Sequence, residues 1–123
     1  MSLTKTVALA GISLAVATLT GCGGSSSSSG GAPNCTTATA TATSQVTIQG
    51  MAFSPACIKV TAPATVTFTN NDTITHTVTA DDGTYDSGNL PATLAFQHAF
   101  STPGTSHYHC TIHPGMTGTV IVQ

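Results

Sequence analysis

The sequence predicts an all-β domain, a sandwich or barrel of short strands, on three observations. From Ser44 onward, apolar residues alternate with threonine and other polar residues in short runs, the period of a half-buried strand. Turn-forming residues interrupt the runs roughly every ten residues, as they do in sandwiches and barrels. Beyond the N-terminal segment, no stretch sustains a helical period.

The elements follow in order. Val46 and Ile48 alternate with Thr47 and Gln49 until Gly50 breaks the run. Ile58 and Val60 alternate with Lys59 and Thr61 before the Ala62-Pro63 turn. Val66 and Phe68 alternate with threonines up to Asn70-Asn71-Asp72, a cluster of turn-forming side chains. Residues 75–80 are rich in β-branched side chains and continue the strand pattern to Asp81-Asp82-Gly83. Residues 85–93 carry Gly88, Asn89 and Pro91 and read as loop. Phe96, His98 and Phe100 share one face of the next strand. Pro103-Gly104 turns the chain, residues 106–110 extend, and a last strand over 117–122 places Val120 and Val122 on one face. The expectation is seven or eight strands in one small domain over residues 35–123, with a modest core and no internal repeat.

The N-terminus reads differently. One lysine, Lys5, precedes an uncharged, mostly apolar run over residues 6–20. That run is shorter than the roughly 20 residues a spanning helix needs, and with its basic start it reads as an export signal. Leu19-Thr20-Gly21-Cys22 resembles a bacterial lipobox. The resemblance implies cleavage after a signal peptide of residues 1–21 and lipidation of Cys22. An ordinary secretory signal with an incidental cysteine is the alternative. Residues 22–34 are dominated by glycine and serine, a flexible coil wandering on the order of 20 Å. The expected location is therefore outside the cell interior, lipid-anchored at a bacterial cell membrane on its periplasmic or extracellular side.

Charge is sparse beyond the signal. Lys59 stands against Asp72, Asp81, Asp82 and Asp86, so no basic patch exists for nucleic acid and membrane contact is expected only through the lipid. The four aspartates read as solvated surface, with steering of a basic partner by Asp81, Asp82 and Asp86 as the alternative. Of the four cysteines, Cys22 goes to lipid and Cys110 to metal. Cys35 and Cys57 remain, and an exported protein meets an oxidising compartment, so they are expected to pair. The competing assignment makes Cys110 a disulfide partner and leaves one cysteine odd.

The metal assignment comes from residues 107–116. Cys110, His113 and Met116 bring a thiol, an imidazole and a thioether into seven positions. A thiolate with two imidazoles and a weak axial methionine is the donor set of a type 1, or blue, copper site. One histidine is missing. His107 and His109 point away from Cys110 in an extended strand. His98 lies between two phenylalanines and reads as a core histidine. His76, just after a turn and distant in sequence, is the best remaining candidate.

At this point the chain resembles the plastocyanin and amicyanin branch of the cupredoxins. The matching pieces are Met51-Ala52-Phe53-Ser54-Pro55, the run from Val66 to Asp72, His76-Thr77-Val78, Asp86-Ser87-Gly88 and the stretch from Tyr108 to Val120. The Cys-x2-His-x2-Met spacing is similar to the short ligand loop of amicyanin. The resemblance implies a Greek-key β-sandwich binding one copper per chain, with His76, Cys110 and His113 equatorial and Met116 axial. Where many relatives have an asparagine joining the two ligand loops, this chain has Thr77, whose hydroxyl is in a position to bond Thr111.

The function expected is electron transfer by a monomer. Redox protein partners would dock near His113, over an apolar patch of Met51, Leu90, Pro91 and Pro114. A copper storage or delivery protein is the alternative, because the same ligands serve it. Against delivery stand the lack of methionine-rich tracts and the thin His107/His109 pair. No enzyme is expected: Cys110 and His113 lack an oxyanion-hole glycine motif and an orienting acid, and the methionine fills the position a catalytic copper leaves open.

Overall fold

The computed structural model describes Ala32 and residues 34–123. The expected signal peptide, Cys22 and nearly all of the linker lie outside the described residues. Nine strands form among the described residues: β1 (Thr41–Ala42), β2 (Gln45–Gln49), β3 (Ala52–Ser54), β4 (Cys57–Val60), β5 (Ala64–Asn70), β6 (Thr79–Ala80), β7 (Ala95–Phe100), β8 (Gly104–His109) and β9 (Thr117–Val122). They make two sheets, one ordered β1-β4-β9-β8-β6 and the other β3-β2-β5-β7. The chain changes sheet at every connection from β3 to β8, which gives the sandwich its Greek-key character. Three strand pairs are parallel: β1 with β4, β2 with β5, and β4 with β9.

The expected alternation builds the core. Val46 and Ile48 of β2, Ile58 and Val60 of β4, Val66 and Phe68 of β5, and Val120 and Val122 of β9 are all buried. Each such side chain contributes about 1.5–3 kcal/mol. Tyr108 of β8 lies at the centre, with Phe53 and Phe68 edge-on to its ring at 4.8 and 5.2 Å. Its register partner on β9 is Gly118. A Cβ there would sit 2.2 Å from Tyr108 Cζ, so the ring occupies the space a side chain would need. This contact locks together β8 and β9, and the loop of residues 110–116 springs from their ends.

Cys35 and Cys57 are bonded, as expected. The bridge ties the N-terminal segment to the start of β4, with β1 laid parallel on that strand. Closing 22 residues contributes about 3 kcal/mol in the chain-entropy estimate.

Two local expectations change. Gly50 and Met51 form a two-residue hairpin loop, both at positive φ (62° and 58°), and so create an additional strand, β3. Residues 75–80 shrink to the two-residue β6. Thr77 N–H donates to Cys110 Sγ and Val78 N–H to Ser87 Oγ. Backbone donors that a strand ladder would use go to side chains instead. His98 is half-buried at the surface of β7 rather than in the core. Its ring stacks on Tyr85 at 4.2 Å, and burial holds its imidazole below the usual histidine range.

Candidate metal centre

Two connections meet at one end of the sandwich. The β5–β6 connection delivers His76, which is fully buried. The β8–β9 connection delivers Cys110, His113 and Met116 within one tight loop. Cys110 N–H donates to Met116 O at 3.0 Å, and Met116 N–H donates to His113 O at 2.9 Å. These bonds fold residues 110–116 back on themselves, with Pro114-Gly115 at the turn, and the side chains of Cys110 and His113 converge. Cys110 and Met116 are buried, and His113 is half-buried.

The donor atoms of His76, Cys110 and His113 lie within 4.8 Å of one another. Cys110 Sγ is 3.8 Å from His76 Nδ1 and 3.7 Å from His113 Nδ1, and the two Nδ1 atoms are 3.1 Å apart. With bonds of roughly 2.0–2.3 Å, the lengths nitrogen and thiolate donors make to a first-row ion such as zinc, one ion fits between all three. A thiolate and two imidazoles in this near-trigonal array, with a thioether in the same loop, fit copper.

Thr77 joins the two connections. Its backbone N–H donates to Cys110 Sγ at 3.3 Å, fixing the sulfur in place against the other connection. Its Oγ1 accepts from Thr111 N–H at 2.8 Å and lies 3.1 Å from Thr111 Oγ1. The expected hydroxyl link is therefore present.

Parity places the other histidines as expected. Tyr108 and Cys110 point inward, whereas His107 meets Thr119 Oγ1 and His109 pairs with Asp81 on the opposite face. Leu90 is a correction: it is buried, not part of a surface patch. Its backbone exchanges two hydrogen bonds with His76, at 3.1 and 2.8 Å, which draws it inside. Met51, Ile112, Pro91 and Pro114 are exposed, as are Ile74 and Leu94.

Asp72 is a second correction. Its side chain is only 16% exposed, and Oδ2 lies 2.9 Å from His76 Nε2. The carboxylate also accepts from Met51 N–H at 2.9 Å and Gly50 N–H at 2.6 Å. The Met51 N–H, followed by Gly50 and His76, holds its carboxyl below the usual carboxylate range against the opposing effect of burial. Sequence reasoning assigned Asp72 to solvated surface. The available signal was its place four residues before the candidate ligand His76.

Residues 40–123 match the copper binding proteins of the plastocyanin/azurin family. This chain belongs to that family. It is 31% identical over 85 residues to amicyanin-alpha of Methylorubrum extorquens, a match covering 65% of this chain and 71% of the relative. Among solved structures, this cupredoxin is similar to a reduced amicyanin variant at 30% identity and a TM-score of 0.61, covering 64% of this chain and 80% of that one. A purple cupredoxin from Nitrosopumilus maritimus matches at 27% identity and a TM-score of 0.59, over 64% of this chain and 98% of the other. A copper-containing nitrite reductase from Thermus scotoductus matches at 25% identity and a TM-score of 0.61. That match spans 64% of this chain but only 22% of the reductase. Family and donor set together support one copper per chain.

Proposed function

We propose that this cupredoxin carries single electrons on one type 1 copper, with His76, Cys110 and His113 as equatorial ligands and Met116 as the axial one. The observation that carries the reading is the convergence of one thiolate and two imidazole Nδ1 atoms within 4.8 Å. Copper supplies the one-electron couple when bound. The chain supplies a preformed donor array, held by hydrogen bonds across two connections, so little has to move when charge changes. His113 reaches the surface between the exposed Ile112 and Pro114. That apolar, weakly charged rim suits brief docking by redox proteins. The similarity to amicyanin supports the same reading.

The domain over residues 35–123 is proposed to work as a monomer at a bacterial cell membrane, on its periplasmic or extracellular side. Lipidated Cys22 and the glycine/serine linker of residues 22–34 would hold it there, after removal of the signal over residues 1–21. The support is the lipobox-like Leu19-Thr20-Gly21-Cys22.

The visible spectrum tests the site. The copper(II) protein is expected to show intense thiolate-to-copper charge transfer, lost in Cys110→Ser, and reversible one-electron voltammetry. A colourless wild type, or colour surviving Cys110→Ser, overturns the type 1 assignment. Rapid loss of copper to a chelator on reduction favours delivery over electron carriage.

A further inference from the structure

Asp72 touches no metal donor atom, yet its carboxylate joins a buried ligand to the hairpin loop between β2 and β3. The turn Asn70-Asn71-Asp72 is itself braced. Asp72 N–H donates to Asn70 Oδ1, and the buried Asn70 Nδ2 donates to the carbonyls of Ile74 and Leu90. From this platform the carboxylate faces the outer nitrogen of His76 on one side and the Gly50-Met51 hairpin loop on the other. Met51 is held in the left-handed region at φ 58°, a conformation that costs a non-glycine residue about 1–3 kcal/mol unless its surroundings impose it. The hairpin turn demands it, and Asp72 helps to hold it by accepting both N–H groups of that loop.

We propose that Asp72 is a positioning residue for the copper site, fixing His76 as the Nε2–H tautomer and joining it to the surface loop that carries Met51. An ionised carboxylate accepts from Nε2–H and cannot donate to it. His76 Nδ1 is thereby left unprotonated and aimed at Cys110 Sγ and His113 Nδ1. The same negative charge strengthens the imidazole as a donor, and it stabilises copper(II) more than copper(I). A partner pressing on the exposed Met51 therefore acts on a loop that shares its anchor with a buried ligand. The inference rests on the ligand assignment proposed above.

Two measurements test it. In the metal-free wild type, nitrogen NMR is expected to show His76 protonated at Nε2 and not at Nδ1. In Asp72→Asn, copper(II) affinity is expected to fall about 10–100-fold, the usual effect of removing a ligand's outer partner. Copper(I) affinity should fall less, so the reduction potential rises. A brace that merely supported the loop would weaken both oxidation states alike and leave the potential unchanged. An Nδ1–H tautomer in the wild type, or an unchanged potential in a folded, blue Asp72→Asn protein, overturns the proposal. A wild type that is not blue refutes the ligand reading instead, and the tautomer measurement needs no variant to fold.

Discussion

The two ligand-bearing connections solve one problem in opposite ways. Residues 110–116 form a loop closed by its own backbone, with Thr111, Ile112, Pro114 and Gly115 exposed around a half-buried His113. The β5–β6 connection contributes a single donor, fully buried, and surrounds it with partners: Asp72 on Nε2 and Leu90 on the backbone. The first segment determines its geometry locally and stays open to solvent. The second depends on contacts with distant parts of the chain and is sealed. The site thus has one open side and one sealed side, and on the proposed reading the electron would leave by the open one.

Removal of either histidine should have the largest effect. His113→Gly and His76→Gly should each lower copper(II) affinity by more than the roughly 10–100-fold that loss of an outer partner costs. They should differ in rescue. The gap left at the half-buried position 113 opens to solvent, so added imidazole is expected to restore the visible band. The gap at the fully buried position 76 should not admit it. Titrating both variants with imidazole checks this, and equal rescue would refute the division into an open and a sealed side.

The same division explains what was legible in the sequence. Cys110, His113 and Met116 were readable because their geometry closes within seven residues. The strands were readable because Val46/Ile48, Ile58/Val60 and Val66/Phe68 keep a period of two against one core. His107 and His109 were excluded by that period as well. The sealed side was less legible. His76 emerged by elimination, but Asp72 looked like surface. Its partners Gly50 and Met51 lie more than twenty residues upstream and reach it only because β2 pairs with β5. Leu90 was misplaced for a related reason, since a backbone bridge to His76 carries no side-chain pattern. Residues 75–80 had the composition of a strand. The thiol of Cys110 and the hydroxyl of Ser87 take the N–H groups of Thr77 and Val78, and neither is visible from local propensity.

A smaller effect tests whether the open loop owes its shape to the stem beneath it. Gly118→Ala would put a methyl group where the Tyr108 ring lies, 2.2 Å from Cζ. The ring is fully buried between Phe53 and Phe68 and has little room to retreat. Overpacking of this kind costs about 1–3 kcal/mol. Denaturant unfolding of the metal-free protein should show that loss. Unchanged stability would mean that β8 and β9 slide apart cheaply, and that the loop above them is held by its ligands rather than by the stem.

The smallest effect concerns Thr77, where the two sides meet. Thr77→Val keeps the shape and the backbone N–H that reaches Cys110 Sγ, but removes the acceptor for Thr111 N–H and the contacts with the Thr111 and Thr79 hydroxyls, which can turn to water instead. A hydrogen bond of this kind contributes about 0.5–1.5 kcal/mol net, and Thr111 is exposed enough for water to replace part of it. Stability should therefore fall by about 1 kcal/mol or less. The local signature should be clearer than the global one, with faster amide exchange at Thr111 and little change at Cys110, whose N–H stays bonded to Met116 O. Thr77→Ser, which keeps the hydroxyl, should restore slow exchange. If Thr111 exchanges equally slowly in wild type and Thr77→Val, the loop needs no tie to the sealed side, and its own backbone bonds suffice to hold Cys110 and His113 in place.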